Sequence, residues 1–367
     1  MKRLGIDARL INQTGVGSYT RNLLLHVLPL IPADIDIFVF MRSQDMHILT
    51  TKLKNVHIIK ADYTWHSLQE QTTFLRLLHS YKLDLMHFTY FSFPMLYMRP
   101  FVITIHDITP LLFATGKAST RNILLYKGKF IAYKLLMKAA VYKPKAILTP
   151  TESVKNDILK MFPKVQSSRI HVTYEGIPEC HILGAAPKKS AHIYPTSYYL
   201  YVGNFYPHKN IPALLHAFKE VRTDAHLILA GPEDHFSHRM KSLTSKLALT
   251  DKVHFFHALD HSELAYLYAH AKALIHPSKA EGFGLTLLEA SAYSCPIIAS
   301  DIPVIRETMS DNFIPFDPAD IFSIATAIQH FDDHPQKKYL PLSIINKRFS
   351  FKEMAKQTWD IYEKILG

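Results

Sequence analysis

Along the first half of the chain, short apolar runs alternate with longer segments that have the apolar spacing of amphipathic helices. The runs predict strands at Leu4–Ile6, Ile35–Met41, Val56–Ile59, Leu85–Phe88, Val102–Ile105, Ala146–Thr149 and Ile170–Val172. The longer segments predict helices at Ser18–Leu28, Leu68–His79, Asn122–Tyr142 and Glu152–Met161. Strands that alternate with helices are typical of a parallel α/β sheet.

The second half repeats this alternation after Gly176–Ser197, a segment rich in Pro, Ala, Lys and Ser that indicates a linker. Strands are predicted at Tyr199–Val202, His226–Ala230, Val253–Phe256, Ala273–His276, Ile297–Ala299 and Phe313–Pro315. Helices are predicted at Asn210–Val221, Ser237–Ala248, Ser262–Ala271, Leu285–Tyr293 and Phe351–Ile365. We therefore expect two doubly wound domains, residues 1–180 and 198–350, facing across a cleft. Residues 351–367 are expected to form a helix that packs back toward the N-terminal domain.

The composition is that of an ordinary globular protein, with 48% hydrophobic and 20% charged residues. The two cysteines, Cys180 and Cys295, are far apart in sequence, which argues against a disulfide scaffold and a cysteine zinc site. Apolar stretches such as Leu23–Ile31 are much shorter than the roughly 20 residues that span a bilayer. The N-terminus enters a predicted strand without a signal-peptide pattern, so the sequence predicts a cytoplasmic protein.

The net charge of +11 lies entirely in the first half of the chain. Residues 1–180 contain 23 Lys and Arg against 12 Asp and Glu, whereas the remaining residues are balanced. This asymmetry favours a half that faces an anionic partner, such as a membrane surface or a nucleic acid. A charge that only keeps the protein soluble explains the same asymmetry equally well.

The most specific motif runs from Ser278 to Glu289, between a predicted strand and a predicted helix. Its glycines, Gly282 and Gly284, let the backbone approach a ligand closely. The first amides of the helix, with the positive end of its macrodipole, are suited to an anion. Glu281 and Glu289 can accept hydrogen bonds from sugar or ribose hydroxyls. Taken alone, the motif is equally consistent with a simple glycine turn between a strand and a helix.

This motif, continued through Cys295-Pro296 to Glu307, resembles the donor site of retaining glycosyltransferases of family 4, which have the GT-B fold. Further segments that resemble the family are Gly5–Arg9, Thr14–Tyr19, Thr104–Asp107, Leu148–Ser153 and Val202–Asn210. Within the family, the chain is most similar to bacterial mannosyltransferases that build lipopolysaccharide O-chains and other surface glycans. The resemblance implies transfer of a hexose, with mannose favoured, from a nucleoside-diphosphate sugar to a glycan or lipid-linked acceptor.

The resemblance also implies roles for individual residues. Lys209 would neutralise the donor diphosphate, Glu289 would hold the ribose hydroxyls, and Glu281 would hold the donor sugar. His106 would line the cleft near the transferred sugar, so the implied catalytic residues are His106, Lys209 and Glu281. The implied donor-binding residues are Gly15, Gly17, Asn204, His208, Lys209, Glu281, Gly282, Phe283, Gly284, Leu285 and Glu289.

The implied reaction breaks the sugar–phosphate bond with retention of the anomeric configuration, through an oxocarbenium-like centre. Lys209 and the first helix amides would stabilise the charge that grows on the departing diphosphate. Glu281 is also a candidate nucleophile, but a binding role is favoured because no second carboxylate lies near it in sequence. The chain departs from the family at His208 and Asn204, where arginine occurs, and at Thr286, where proline is common.

Three residues that follow predicted strands, Tyr90, Phe91 and Asp107, are candidates for an acceptor groove. Aromatic residues at such positions more often belong to the core.

Three lysines of the predicted helix Asn122–Tyr142, Lys127, Lys134 and Lys138, share one helix face and are flanked by tyrosines. The pattern predicts either a contact with the anionic inner face of the cytoplasmic membrane or an ordinary solvated face.

The resemblance implies no metal or other cofactor, because GT-B enzymes generally manage the diphosphate without a bound metal. Asp34-Ile-Asp36 lies far from the donor motif, and the histidines lack metal-ligand spacing. The resemblance favours GDP-mannose as the donor, with a UDP-sugar next. Other GT-B enzymes remain alternatives: a nucleotide-sugar 2-epimerase, which needs no acceptor, and a phosphorylase, which needs a longer chain and a cofactor-bearing lysine. A non-catalytic nucleic-acid binder is a third alternative, although no compact nucleic-acid module is visible.

Overall fold

The computed structural model describes residues 1–51, 53–112, 123–177 and 194–367, which form two compact units. Of the described residues, the first unit contains those within 1–111, 123–176 and 350–367, and the second contains 112, 177 and 194–349. Each unit is built around its own parallel sheet. Cys180 and most of the predicted linker lie outside the described residues.

The first unit has a seven-stranded sheet of order β3-β2-β1-β4-β5-β6-β7. Its strands are β1 Lys2–Asp7, β2 Ile35–Met41, β3 Val56–Lys60, β4 Leu85–Phe88, β5 Phe101–Thr104, β6 Ala146–Thr149 and β7 Ile170–Val172. Its helices are α1 Val16–Val27, α2 Leu75–Ser80, α3 Thr109–Leu112, α4 Ile123–Tyr142, α5 Glu152–Met161 and α13 Phe351–Leu366. β4, β5 and β6 are buried at every residue, as expected for parallel strands covered on both faces.

The second unit has a six-stranded sheet of order β10-β9-β8-β11-β12-β13. Its strands are β8 Tyr198–Val202, β9 His226–Ala230, β10 Val253–Phe256, β11 Leu274–His276, β12 Ile297–Ser300 and β13 Ile314–Phe316. Its helices are α6 Ile211–Glu220, α7 His235–Lys246, α8 His261–His270, α9 Leu285–Ala292, α10 Pro303–Met309, α11 Ile321–Asp333 and α12 Leu342–Arg348. Capping boxes at Asp234 and Asp260 start α7 and α8.

The last helix, α13, belongs to the first unit although it ends the chain. Ser350 caps its N-terminus by accepting a hydrogen bond from the Glu353 amide. Its apolar face, which includes Phe351, Met354 and Tyr362, is buried in the same core as α1. Burial of this face ties residues from the far end of the sequence to β1 and β4.

The predicted strands are present to within two residues at each end, but four helices were not predicted. One is the short helix α3, and the other three, α10, α11 and α12, lie between β12 and the last helix. α11 buries Ile324, Ile328 and Phe331 at helical spacing, so its pattern was readable in the sequence. None of the described helices is long and apolar enough to cross a bilayer.

Candidate active site

Both sheets reverse their strand order at one point, and the predicted donor-binding residues follow strands at these points, whereas His106 follows β5. In the second unit the reversal lies between β8 and β11. Lys209 follows β8, and Glu281 follows β11. Loops that leave adjacent parallel strands in opposite directions open a crevice at the carboxyl edge of the sheet, which is where doubly wound folds bind ligands.

The centre of the second unit's site is a buried carboxylate with two nitrogen donors. Lys209 Nζ lies 2.6 Å from Oε1 of Glu281. His276 Nε2 lies 2.8 Å from the same oxygen. Burial by itself would raise the pKa of Glu281, but the charge and hydrogen bonds of Lys209 and His276 hold it well below its ordinary value. Glu281 is therefore a carboxylate at neutral pH.

The second predicted carboxylate, Glu289, has a different environment. It lies inside α9, where the Tyr268 hydroxyl of α8 donates to its Oε2 at 3.0 Å. Burial raises the pKa of Glu289, and the Tyr268 hydrogen bond opposes that rise only in part. The two glutamates of one motif thus have opposite pKa shifts.

The start of α9 presents backbone amides beside these carboxylates. Gly284, the residue before the helix, has φ of +91°, which favours glycine. Leu285 begins the helix, while Phe283 is buried and packs edge-on against Phe349. Gly282 lies in the turn between Glu281 and Phe283. The first amides of a helix lack intrahelical acceptors, so this end of α9 is suited to an anion.

The remaining predicted donor residues, Asn204 and His208, lie in the loop after β8. The Asn204 side chain accepts from the Tyr206 amide at 3.3 Å. The carbonyl oxygen of His208 accepts from the Lys279 amide at 2.8 Å. This bond joins the loop after β8 to the loop after β11 and brings Lys209 to Glu281.

In the first unit, the predicted glycine loop lies between β1 and α1. Gly15, immediately before α1, has φ of +64°. A Cβ atom on Gly17 would lie 2.5 Å from the Ile11 carbonyl oxygen, so only glycine fits without movement of the backbone. Gly17 is thus required by the turn itself, whatever ligand the loop binds.

His106 is held at both ring nitrogens. Its Nε2 donates to the Thr89 carbonyl oxygen at 3.0 Å, and its Nδ1 lies 3.1 Å from Oε1 of Glu175. Burial lowers the pKa of His106, but the hydrogen bond and charge of Glu175 outweigh burial and raise it overall. Because both partners are acceptors, the ring fits best as an imidazolium that donates twice.

A second buried histidine, His87, lies near by and is neutral, unlike His106. Its Nε2 contacts Thr104 Oγ1 at 2.8 Å, and its Nδ1 bonds the Tyr362 hydroxyl of α13. Burial, helped by the charge of His106, lowers the pKa of His87 to about 3. Thr104 Oγ1 also bonds the hydroxyl of Tyr19, whose ring packs edge-on against His106 at 4.7 Å. α13 is therefore connected to the surroundings of His106.

A buried ion-pair network centred on Arg9 lies just after β1, at the carboxyl edge of the first unit's sheet. Its guanidinium contacts both oxygens of Asp7 and, at 2.8 Å, Oε1 of Glu70. Oε2 of Glu70 accepts from Ser92 Oγ at 2.7 Å and from the His66 amide at 3.0 Å. The network ties the ends of three loops to β1.

The predicted acceptor residues differ in accessibility. Phe91 is only 3% exposed and packs against Tyr133 in the core, so its ring offers no free face. Tyr90 is half-buried. Asp107 Oδ1 accepts from the Thr109 amide at 2.8 Å and so caps the short turn of α3.

Of the three predicted membrane lysines, Lys134 and Lys138 are exposed on α4. Lys134 Nζ lies 4.6 Å from the ring centroid of Phe130. The side chain of Lys127 lies outside the described residues.

Sequence reasoning did not select four residues: His276, Tyr268 and Glu175, which contact predicted site residues, and Glu70, which contacts Arg9 of the segment Gly5–Arg9. His276 is two residues before the selected motif, and a polar residue that ends a buried strand was the available signal. The other three are remote in sequence from their partners, so no local pattern marked them.

Replacing Glu175 with glutamine is expected to remove a pH-dependent part of the first unit's stability. The pKa of His106 is higher in the folded state than the ordinary histidine value of 6.5. The contact with Glu175 therefore stabilises the folded state fully below pH 6.5, and this stabilisation is lost as the pH rises through the raised pKa. The difference in unfolding free energy between wild type and Glu175→Gln should therefore be largest at about pH 6 and shrink as the pH rises into the alkaline range. Urea titrations followed by tryptophan fluorescence measure it, since Trp65 and Trp359 both lie in the first unit.

The exposed Glu152, paired with Lys155 at 3.4 Å, provides the matched control. Glu152→Gln should differ from wild type by the same small amount at both ends of this pH range. A Glu175→Gln difference that stays constant with pH would contradict the imidazolium assignment.

Two family models match consecutive parts of the chain. The model described as Glycosyltransferase Family 4 matches residues 14–179, and the model described as Glycosyl transferases group 1 matches residues 185–343. Among curated proteins, the O-antigen chain mannosyltransferase RfbU of Salmonella typhimurium is 32% identical over 252 residues. That alignment spans 67% of this chain and 64% of RfbU. O-antigen chain mannosyltransferase B of Escherichia coli is 25% identical over 71% of this chain and 70% of its own length.

Solved structures show the same architecture at low identity. Sucrose-phosphate synthase from Thermosynechococcus elongatus has a TM-score of 0.76 at 18% identity and covers 100% of this chain, which covers 99% of that one. Anabaena HepE, solved with UDP and glucose, has a TM-score of 0.71 at 15% identity and covers 99% of this chain, which covers all of HepE.

These similarities confirm the predicted fold class, GT-B, and the predicted resemblance to O-chain mannosyltransferases. The two matched models together account for nearly all of the chain from residue 14 to residue 343. The chain belongs to the family 4 glycosyltransferases.

Proposed function

We propose that this protein is a retaining glycosyltransferase that moves a hexose, with mannose favoured, from a nucleoside-diphosphate sugar to a glycan or lipid-linked acceptor. The observation that carries the proposal is the Lys209–Glu281 ion pair beside the first turn of α9. A cation, a carboxylate and free helix amides at one sheet edge are the groups that a diphosphate and a sugar need.

In the proposed reaction, the bond between the anomeric carbon and the diphosphate oxygen breaks, and its electron pair stays with the diphosphate. Lys209 and the first amides of α9 stabilise the charge that develops there. Glu281 accepts hydrogen bonds from the donor sugar, and Glu289 from the ribose. The acceptor hydroxyl forms the new bond on the face that the diphosphate leaves, and its proton passes to the departing diphosphate oxygen.

We propose guanine as the nucleotide base of the sugar donor. The curated relatives named above are mannosyltransferases, which favours GDP-mannose, while HepE was solved with UDP, which keeps a UDP-sugar second. A thermal-shift panel of GDP, UDP and ADP with wild type, Lys209→Ala and Glu289→Ala separates these donors, because a ligand that binds the folded state raises the Tm. We expect GDP to raise the Tm of wild type and both variants to lose that rise. No rise with any nucleotide would contradict the donor site.

An assay with GDP-mannose separates transfer from epimerisation. A transferase releases GDP in proportion to an added lipid-linked glycan acceptor, whereas a 2-epimerase converts the nucleotide sugar without any acceptor. Release of nucleotide that depends on acceptor supports the proposal, and acceptor-independent conversion to an isomeric sugar contradicts it.

The reaction is proposed to need no metal, because Lys209 and the amides of α9 supply the counter-charge. Within the described ranges, no three His, Cys, Asp or Glu side chains are grouped as metal ligands. Transfer activity unchanged by EDTA supports this part of the proposal, and loss restored by Mg²⁺ overturns it.

We propose further that α4 docks the protein on an anionic membrane surface, where a lipid-linked acceptor is located. Ile131 and Leu135 are 59% and 56% exposed on α4, interleaved with the exposed Lys134 and Lys138. Apolar residues flanked by lysines on one helix are typical of interfacial contacts. Each lysine near such a surface contributes about 1 kcal/mol of attraction.

The double variant Lys134→Glu/Lys138→Glu is therefore expected to lose most binding to phosphatidylglycerol vesicles in co-sedimentation. Lys352 and Lys356 are an exposed pair with the same spacing on α13, so Lys352→Glu/Lys356→Glu is the matched control and should still bind. Equal binding to phosphatidylcholine vesicles, or equal loss in the two double variants, would contradict docking through α4.

A further inference from the structure

His276 lies at the end of β11, next to the switch point of the second sheet, and its side chain is only 3% exposed. Ser300 of the neighbouring strand β12 donates to its carbonyl oxygen at 3.2 Å. The histidine is thus fixed by the sheet rather than by a loop. Its Nε2 reaches Glu281, which is the residue proposed to bind the donor sugar.

We propose that His276 is a positioning residue, which keeps the Glu281 carboxylate oriented toward the donor sugar while Lys209 is engaged by the donor diphosphate. This inference rests on the proposed function and adds a residue to it.

Both donors to Glu281 bind the same carboxylate oxygen. Lys209 Nζ and His276 Nε2 converge on Oε1 of Glu281, at 2.6 and 2.8 Å. Among the residues that the structure describes, Oε2 has no hydrogen-bond partner. One oxygen is therefore used to hold the side chain, and the other is left for a ligand hydroxyl.

Glu281 needs a second donor because an unpaired buried charge destabilises the protein. A diphosphate attracts the ammonium group of Lys209 and so competes with Glu281 for it. Glu281 is 10% exposed, and a buried carboxylate left without any partner strongly destabilises the folded protein. With His276 still bound, Glu281 keeps a donor when Lys209 turns to the diphosphate.

The hydrogen-bond pattern of the imidazole agrees with this role. A carboxylate can only accept, so Nε2 of His276 carries the hydrogen. Nδ1 lies 3.5 Å from Thr286 Oγ1 on the first turn of α9, at the outer limit of a hydrogen bond. A neutral ring with its hydrogen on Nε2 satisfies both neighbours, so donation to Glu281 does not require His276 to be charged.

The test compares His276→Leu with His276→Gln, since the glutamine amide nitrogen replaces Nε2 as a donor whereas leucine keeps only the bulk. We expect His276→Leu to lower kcat/KM for the donor about 10- to 100-fold, and His276→Gln to restore most of it. The Tm of each variant shows whether it is folded.

The pH profile gives a readout that does not depend on how much enzyme is folded. The groups that face Glu281 are Lys209, His276 and Tyr201. Without the His276 donor, the pKa of Glu281 rises, so the acid limb of kcat/KM should move to higher pH in His276→Leu and stay near its wild-type position in His276→Gln.

The outcomes separate this inference from the proposed function. Transfer by wild type with the same acid limb and the same kcat/KM in His276→Leu overturns the role of His276 alone. A leucine variant that loses activity without any movement of the acid limb, and is not restored by glutamine, also overturns it. Absence of transfer by wild type from every nucleoside-diphosphate sugar overturns the proposed function, and the role of His276 with it.

Discussion

Replacing Lys209 with alanine is expected to lower transfer from the nucleotide sugar about 10²- to 10³-fold, the usual effect of removing one preorganised group that stabilises developing charge. Lys209 follows β8 at the switch point and lies 2.6 Å from Glu281. The departing diphosphate would gain charge as the sugar bond breaks, and the ammonium group of Lys209, once it has turned from Glu281 to the diphosphate, would counter that charge. Initial rates at saturating and limiting donor separate the effect on kcat from the effect on KM.

Lys272 provides a matched control within the same unit. It forms an ion pair with Asp332, as Lys209 does with Glu281, but it lies at the start of β11, at the opposite edge of the sheet. Lys272→Ala should lower the Tm without changing the rate of transfer. Equal loss of activity in both variants would mean that Lys209 acts through stability, and an unaffected Lys209→Ala would remove it from the site.

Replacing Arg9 with methionine is expected to destabilise the first unit by about 3–5 kcal/mol, because it leaves buried carboxylates without a counter-charge. The Arg9 side chain is 2% exposed, and its partners Asp7 and Glu70 are 9% and 0% exposed. Arg9 also lies over the ring of Phe74 at 3.9 Å. Urea unfolding followed by tryptophan fluorescence reports this unit selectively, since both tryptophans lie in it.

Arg99 in the same unit is the matched control, because its contact with Asp84, at 4.0 Å, is at the surface. Arg99→Met should change the urea midpoint only slightly, as is usual for exposed pairs. The double variant Arg9→Met/Glu70→Met should be less destabilised than Arg9→Met alone, because one of the stranded charges is removed with its partner. If the double variant is the less stable of the two, Glu70 is not stranded by the loss of Arg9.

The fold was readable from the sequence because parallel strands and helices have separate periodicities. β4, β5 and β6 are runs in which every residue is buried, and such runs stand out without any tertiary information. The glycines before α9 and the two glutamates around its start are local features of one motif, so their grouping was also predictable. α11 was missed although its apolar spacing is regular.

The partners of the predicted residues were decided by the tertiary structure. Glu175 meets His106 across 69 positions of sequence, Glu70 meets Arg9 across 61, and Tyr268 meets Glu289 across 21. Parallel strands bring the carboxyl ends of distant segments to one edge, so these contacts depend on strand order, which no local pattern encodes.

The sequence by itself determined that glycines, glutamates and a lysine follow the ends of predicted strands. These residue types indicated the class of chemistry, transfer from a nucleotide sugar. Only the tertiary structure decided their charge and orientation. Glu281 and Glu289 are separated by seven residues of one motif, yet Lys209 and His276 outweigh burial and lower the pKa of the first, whereas burial beside Tyr268 leaves that of the second raised. The physical reason is that the pKa of a buried group depends on the donors and charges within a few ångströms, which the strand order selects.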